Sequence, residues 1–250
     1  MNERDIAGGF SALWSEFFPM LSPTFIIAFN EAFVQRILGR AGIVPPVEPR
    51  TATHRPDVLA EFGFRLAASA NRLGISTRAA TSDKLLLDEA NILAVNRIRE
   101  LRPHLPAVDL YLNDSEREEG ARLAAVYEDF LALLPPTEKV VFSPKLLGSG
   151  VLGSCYADLA IGDTLFEVKT VNRPFHSRDL RQLLVYFALE AMGESKRWDS
   201  GGLLNPRTGT FCKFSIDWLV TRLSGGRPPK LVLSDFMQAL YRDVVLDRRF

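Results

Sequence analysis

Two alternating runs, residues 154–161 and 164–171, are separated only by Gly162-Asp163. A Gly-Asp pair in that setting marks a two-residue hairpin turn, and so short a turn leaves one register open to the strands. Ile161 then faces Thr164, and Asp158 falls directly opposite Glu167, with Cβ atoms roughly 4.5–5.5 Å apart. Alternation adds Tyr156 and Lys169 to that face. The other face carries Ala157, Leu159, Ile161, Phe166 and Val168, an apolar set that must pack on a core.

The texture of the chain changes at Pro135-Pro136. Before it, the first 40 residues read as helical and aromatic, with Phe10, Trp14, Phe17, Phe18, Phe25, Phe29 and Phe33 expected to bury against the rest of the chain. Pro45, Pro46, Pro49 and Pro56 mark an extended connector, since proline and its predecessor both disfavour helix. Apolar spacing predicts helices near 57–74, 82–102 and 115–134. After Pro136, strands are expected at 139–143, 154–161, 164–171, 201–204 and 210–214. One helix at 177–192 interrupts them, and helices at 216–223 and 232–246 close the chain. Helices followed by strands around one helix predict an α/β or α+β core with a helical N-terminal region.

The 250 residues carry 30 Lys+Arg and 30 Asp+Glu, and the zero net charge hides an asymmetry. Residues 1–138 hold 14 basic and 19 acidic side chains, residues 139–250 hold 16 and 11. The −5 and +5 halves suggest a nucleic-acid-facing part joined to something else. Cys155 and Cys212 are the only cysteines, too few for a disulfide scaffold or a four-cysteine metal site. The greasiest stretch, 10–38, is broken by Glu16, Pro19, Pro23, Asn30 and Glu31, so it is too interrupted to span a membrane. With no secretory leader pattern at the N-terminus, a cytoplasmic protein is expected.

Two opposed carboxylates destabilise a hairpin unless something neutralises them. Lys169 can do so as an ordinary ion-pair cluster. A divalent cation that prefers oxygen ligands, Mg²⁺ or Mn²⁺, can also do so.

Asp158 followed by Glu167-Val168-Lys169 resembles the D…(D/E)xK signature of the PD-(D/E)XK nuclease superfamily, with Ala157 where that signature has proline. Asp179, Gln182 and Tyr186 are similar to the D-x-x-Q-x-x-x-Y motif of its RecB-like and lambda-exonuclease-like branches. Gln182 and Tyr186, four apart, share one helix face. The resemblance covers roughly residues 139–215, including a second hairpin around 202–209, and leaves residues 1–110 unmatched.

The resemblance implies a restriction-endonuclease-like core, a mixed sheet flanked by helices, within a domain of residues 111–250. Residues 1–110 then form a separate helical region. It implies a Mg²⁺-dependent nuclease acting on nucleic acid, DNA more than RNA, in repair, restriction or anti-phage defence. Asp158, Glu167 and the Val168 carbonyl would hold the metal. Lys169 would position the attacking water, Gln182 would orient Lys169 or the phosphate, and Tyr186 would support the helix. Glu119, on the helix before the sheet, is the candidate further acid. Arg173, Arg178, Arg181 and Arg207 are candidate nucleic-acid contacts. The alternative is a catalytically silent nuclease fold serving as a DNA-binding or scaffolding subunit. An α/β protein matching the motif by chance is a third reading. The aromatic N-terminal region is where a homodimer or protein partner would dock.

Overall fold

The computed structural model describes residues 3–49, 55–106, 110–135, 137–193 and 197–247, so the helix stop at Pro136 lies outside them. The chain opens with α1 (Glu3–Gly8), α2 (Ser11–Phe17) and α3 (Pro23–Phe33), then short strands β1 (Gln35–Arg36), β2 (Leu38–Gly39) and β3 (Gly42–Ile43). Helices α4 (Pro56–Leu73), α5 (Thr77–Ser82), α6 (Lys84–Leu101) and α7 (Asp114–Leu131) follow. The strand-rich part runs β4 (Val140–Phe142), β5 (Lys145–Leu146), β6 (Cys155–Tyr156), β7 (Leu159–Ile161) and β8 (Thr164–Val168). Helix α8 (Ser177–Ala191) comes next, then β9 (Ser200–Asn205), β10 (Thr210–Ser215), α9 (Ile216–Leu223) and α10 (Pro229–Asp247).

Local chemistry sets several of these ends. Pro56 sits in the first turn of α4, where its missing N–H costs nothing, and Gly74 ends the helix in the left-handed region. Asn113 and Glu116 form a reciprocal capping box at the start of α7. Helix α8 opens at Ser177, the first residue of the predicted 177–192 helix. The cap position falls one residue earlier, on His176, whose N–H donates to the Asp179 carboxylate at 2.8 Å.

Six strands form one mixed sheet in the order β1-β10-β9-β8-β7-β4. Every neighbouring pair is antiparallel except β8 and β9, which α8 connects as a crossover. The Gly162-Asp163 turn has the expected register: Ile161 pairs with Thr164, Ala160 with Leu165 and Leu159 with Phe166. Gly162 takes a φ of 53°, which favours glycine at the first turn position.

The expected strand over 154–161 is not continuous. It breaks at Ala157-Asp158 into β6, paired with β5 in a separate two-stranded ribbon, and β7 in the main sheet. The facing segment bends with it. Ser143 has a φ of 52° and donates its N–H to the Asp158 carbonyl at 2.8 Å, while the Ala157 N–H reaches the Pro144 carbonyl at 3.1 Å. Alternation fails across that bend. Ala157 joins the core opposite the one that holds Leu159 and Ile161, and Tyr156, half-exposed, pairs with Lys145.

Helices cover both faces of the sheet. On one, α8, α9 and α10 pack with α1–α3 over Ala160, Leu165, Leu203 and Phe214. Here Phe236 is ringed by Trp14, Phe17 and Phe18, with centroids 4.8–5.8 Å away. Such aromatic pairs contribute about 0.5–1.5 kcal/mol each beyond area burial. On the other face, α4, α6 and α7 enclose Leu159, Ile161, Phe166 and Leu204. One correction follows. Residues 1–110 share both cores with the rest of the chain, so residue 110 does not divide two cores. Trp14, Phe17, Phe18 and Phe29 are buried inside the chain, as the sequence leads one to expect. No described helix is long and apolar enough to cross a membrane.

Gly202 keeps β9 close to its neighbour: a Cβ there would lie 2.2 Å from the Phe166 ring and 2.9 Å from the Cys212 carbonyl. Phe166 is buried edge-on against Phe130 and has nowhere to move. Gly202→Ala should therefore destabilise the fold by about 1–3 kcal/mol, read as a lower urea midpoint at unchanged m-value.

Candidate active site

The β7–β8 ladder ends at the Leu159–Phe166 pair, and Asp158 and Glu167 are the next residues on either side of it. The Val168 N–H donates to Asp158 Oδ2 at 2.7 Å, tying the bent end of β7 to β8. Glu167 is 1% exposed. Its Oε1 accepts from Lys169 Nζ at 2.6 Å, and the same ammonium donates to Gln182 Oε1 at 2.8 Å. Gln182 Nε2 in turn donates to the Tyr186 hydroxyl at 2.9 Å. A single chain of bonds thus runs from β8 to α8, using the helix face that the i, i+4 spacing marked.

Electrostatics in this cluster are set by burial and like charge. Burial pushes Glu167 up, the Asp158 charge adds to it, and Lys169 opposes both, leaving the carboxyl at about 7. Burial also raises Asp158, against the Val168 N–H, Lys169 and Arg4. Tyr186 is raised well above its ordinary value by burial, then by the charges of Glu167 and Asp158. Buried acids with raised proton affinity in a cleft are a recurrent feature of chemical sites.

The cluster opens into a cleft of about 460 Å³ that lies between the sheet edge and the helices α4 and α6. Asp158, Lys169, Gln182, Arg173 and Arg178 line it, together with Arg4, Glu61 and Tyr127. Arg173 is committed to Asp179 through two bonds of 2.7 and 3.0 Å, which fixes the segment leading into α8. Arg178 Nη2 reaches the Arg4 carbonyl at 3.4 Å. Arg181 lies instead over the Trp14 ring at 5.3 Å, and its desolvation lowers its pKa.

Glu119 and Arg207 are placed differently from expectation. Glu119 is 0% exposed and Arg207 8%, and they form a 2.5 Å ion pair. Arg207 also donates to the Val47 carbonyl at 2.9 Å, so the proline-rich connector covers it. Neither lines the cleft. The later hairpin tucks Arg207 inward because its partner acid lies beneath it, a long-range pairing invisible in local sequence.

Four cleft-related residues carry no sequence signal. Arg4 comes from α1, and Glu61 from α4, where it pairs with Arg65 at 2.7 Å. Tyr127 of α7 is buried, its pKa raised by burial and by Asp158, with Thr170 as hydrogen-bond partner. Asn205 ends β9 and bridges to the segment after β8: its Nδ2 donates to the Val171 carbonyl at 2.8 Å, and its Oδ1 accepts from the Val171 N–H at 3.3 Å.

Among the described residues, no group of three or more His, Cys, Asp or Glu is arranged to hold a metal. Mg²⁺ takes one or two carboxylates and completes its shell with water and phosphate. Asp158 and Glu167 are the residues that could supply that smaller set. Glu167 Oε2 is buried with no hydrogen-bond partner among the described residues.

Breaking the Glu119–Arg207 pair strands a buried charge, so Glu119→Ala should cost about 3–5 kcal/mol of stability by chemical denaturation. Glu167 gives a pH signature. Folded, it binds its proton more tightly than unfolded, so stability is greatest at low pH and falls as pH rises from about 4.5 through about 7. Glu167→Gln, free of divalent ions, should melt above wild type at pH 8, with the difference closing toward pH 5. Comparison with models of known protein families and with curated proteins gives no match to this chain.

Proposed function

We propose that the protein is a metal-dependent nuclease of the PD-(D/E)XK type, with a restriction-endonuclease-like core, that hydrolyses phosphodiester bonds of nucleic acid, DNA in preference to RNA. One observation carries the reading: Asp158, Lys169 and Gln182 line an open cleft, and Lys169 is held between Gln182 and the buried Glu167 directly behind it, whose Oε2 has no hydrogen-bond partner among the described residues. An isolated ion-pair cluster needs neither a cleft nor a buried second oxygen.

Asp158, Glu167 and the Val168 carbonyl would hold Mg²⁺ or Mn²⁺. The bound ion supplies charge neutralisation at the phosphate and a more acidic water. Lys169 Nζ would hold the attacking water in line with the phosphorus and offset negative charge as the phosphorus–oxygen bond breaks. Gln182 fixes the ammonium, and the Tyr186 hydroxyl fixes Gln182. Asp179 acts at a distance from the chemistry by clamping Arg173 and the His176 N–H. The bent β6–β7 junction serves the same end. It lets Asp158 leave the regular ladder and accept the Val168 N–H.

Purified protein incubated with plasmid, linear duplex, single-stranded DNA and RNA should cleave with Mg²⁺ or Mn²⁺ and not in EDTA. Asp158→Ala and Lys169→Ala should each slow cleavage by roughly 10²-fold or more. Variants as active as wild type, or cleavage indifferent to EDTA, would overturn the reading.

A further inference from the structure

The N-terminal helix places a cation beside the acidic pair. Arg4 lines the same cleft as Asp158, Lys169 and Gln182. Its side chain is 50% exposed and, among the described residues, its ion pair is with Glu3 at 3.9 Å. Arg173, by contrast, is consumed by Asp179 at 2.7 Å, and Arg181 is turned onto Trp14. Arg4 has no direct ion pair with Asp158 or Glu167 among the described residues, yet it feels both. Burial lowers its pKa and the charges of Glu167 and Asp158 more than offset this. Arg4 therefore puts a half-exposed guanidinium into the cleft that holds Asp158 and Lys169, with only the loose Glu3 pair engaging it among the described residues.

Helix α1 is not a loose arm. Ile6 and Ala7 are buried, Trp14 Nε1 donates to the Ile6 carbonyl at 2.9 Å, and Arg178 grips the Arg4 carbonyl. The backbone carrying Arg4 is thus anchored on α8, the helix that supplies Gln182. Helix α4 contributes Asp57 and Glu61 to the cleft, but each is already ion-paired, to Arg102 at 2.8 Å and Arg65 at 2.7 Å.

We infer that Arg4 is a substrate-binding residue of this site, its guanidinium gripping a non-bridging oxygen of the phosphodiester that enters the cleft. The inference rests on the nuclease reading for the identity of the anion. The planar, permanently charged fork of arginine suits phosphate, and lysine reproduces the charge but not the two-pronged contact.

The test is equilibrium binding of fluorescent single-stranded and duplex oligonucleotides, with Ca²⁺ replacing Mg²⁺, across a salt series. Cleavage kinetics run in parallel. Arg4→Ala should weaken binding uniformly across sequences and reduce the slope of log K against log salt by about one. Arg4→Lys should restore most of the slope while recovering cleavage only in part. Arg72→Ala, at a position outside the cleft, should keep the wild-type slope. Melting temperatures of all variants should match wild type, since Arg4 is half-exposed and forms only a 3.9 Å pair. An Arg4→Ala protein that binds and cleaves like wild type overturns this inference and leaves the nuclease reading standing. A wild-type protein that neither binds nor cleaves overturns both. Wild-type binding without cleavage, with the slope lost in Arg4→Ala, upholds the phosphate contact and overturns the enzyme.

Discussion

The buried carboxylate of Glu167 is the constraint around which the site is organised. A carboxylate 1% exposed and opposite a second acid cannot stay charged without a counter-charge. Lys169 provides it on the same strand, and Gln182 and Tyr186 hold Lys169 from α8. That bond chain couples the hairpin to the crossover helix. The docking of α8 in turn brings β9 alongside β8 as the one parallel pair of the sheet. Glu167 Oε2, buried without a hydrogen-bond partner among the described residues, is left at some expense of stability.

The two halves of opposite charge do not form two bodies. The acidic N-terminal segment supplies helices to both faces of the sheet, and α4 and α6 form one wall of the cleft. Its acidic residues therefore shape the approach to the site from within, with Asp57 and Glu61 facing a wall that carries Arg4, Arg173 and Arg178. Both signs of charge meet in that cleft, where Asp57, Glu61, Asp158 and Asp179 stand among Arg4, Lys169, Arg173 and Arg178.

Much of this was legible in the chain. The Gly-Asp turn dictated the β7–β8 register, since a side-chain period of two and a two-residue connection admit a single pairing. The Gln182–Tyr186 spacing dictated that both would lie on one face of α8. The helices α4, α6 and α7 announced themselves by their apolar stripes. Local patterning misled where it was extrapolated through a bend. Ala157 was assigned to the wrong face because alternation holds only while the strand stays regular, and Ser143 and Asp158 end it. It misled again at Arg207, where a position near a hairpin tip suggested solvent.

By itself, the sequence determined the short-range geometry: the opposed acids, the lysine beside them, the glutamine and tyrosine on one helical face. These follow from backbone periodicities that need only a few neighbouring residues. Only the tertiary structure decided which charges meet across the chain. It paired Glu119 with Arg207 over 88 positions, turned Arg181 onto Trp14, and brought Arg4 into the same cleft as Asp158 and Asp179, more than 150 residues along the chain. Such encounters are settled by how apolar helix faces pack, and no periodicity along the chain encodes which distant side chain will be waiting there.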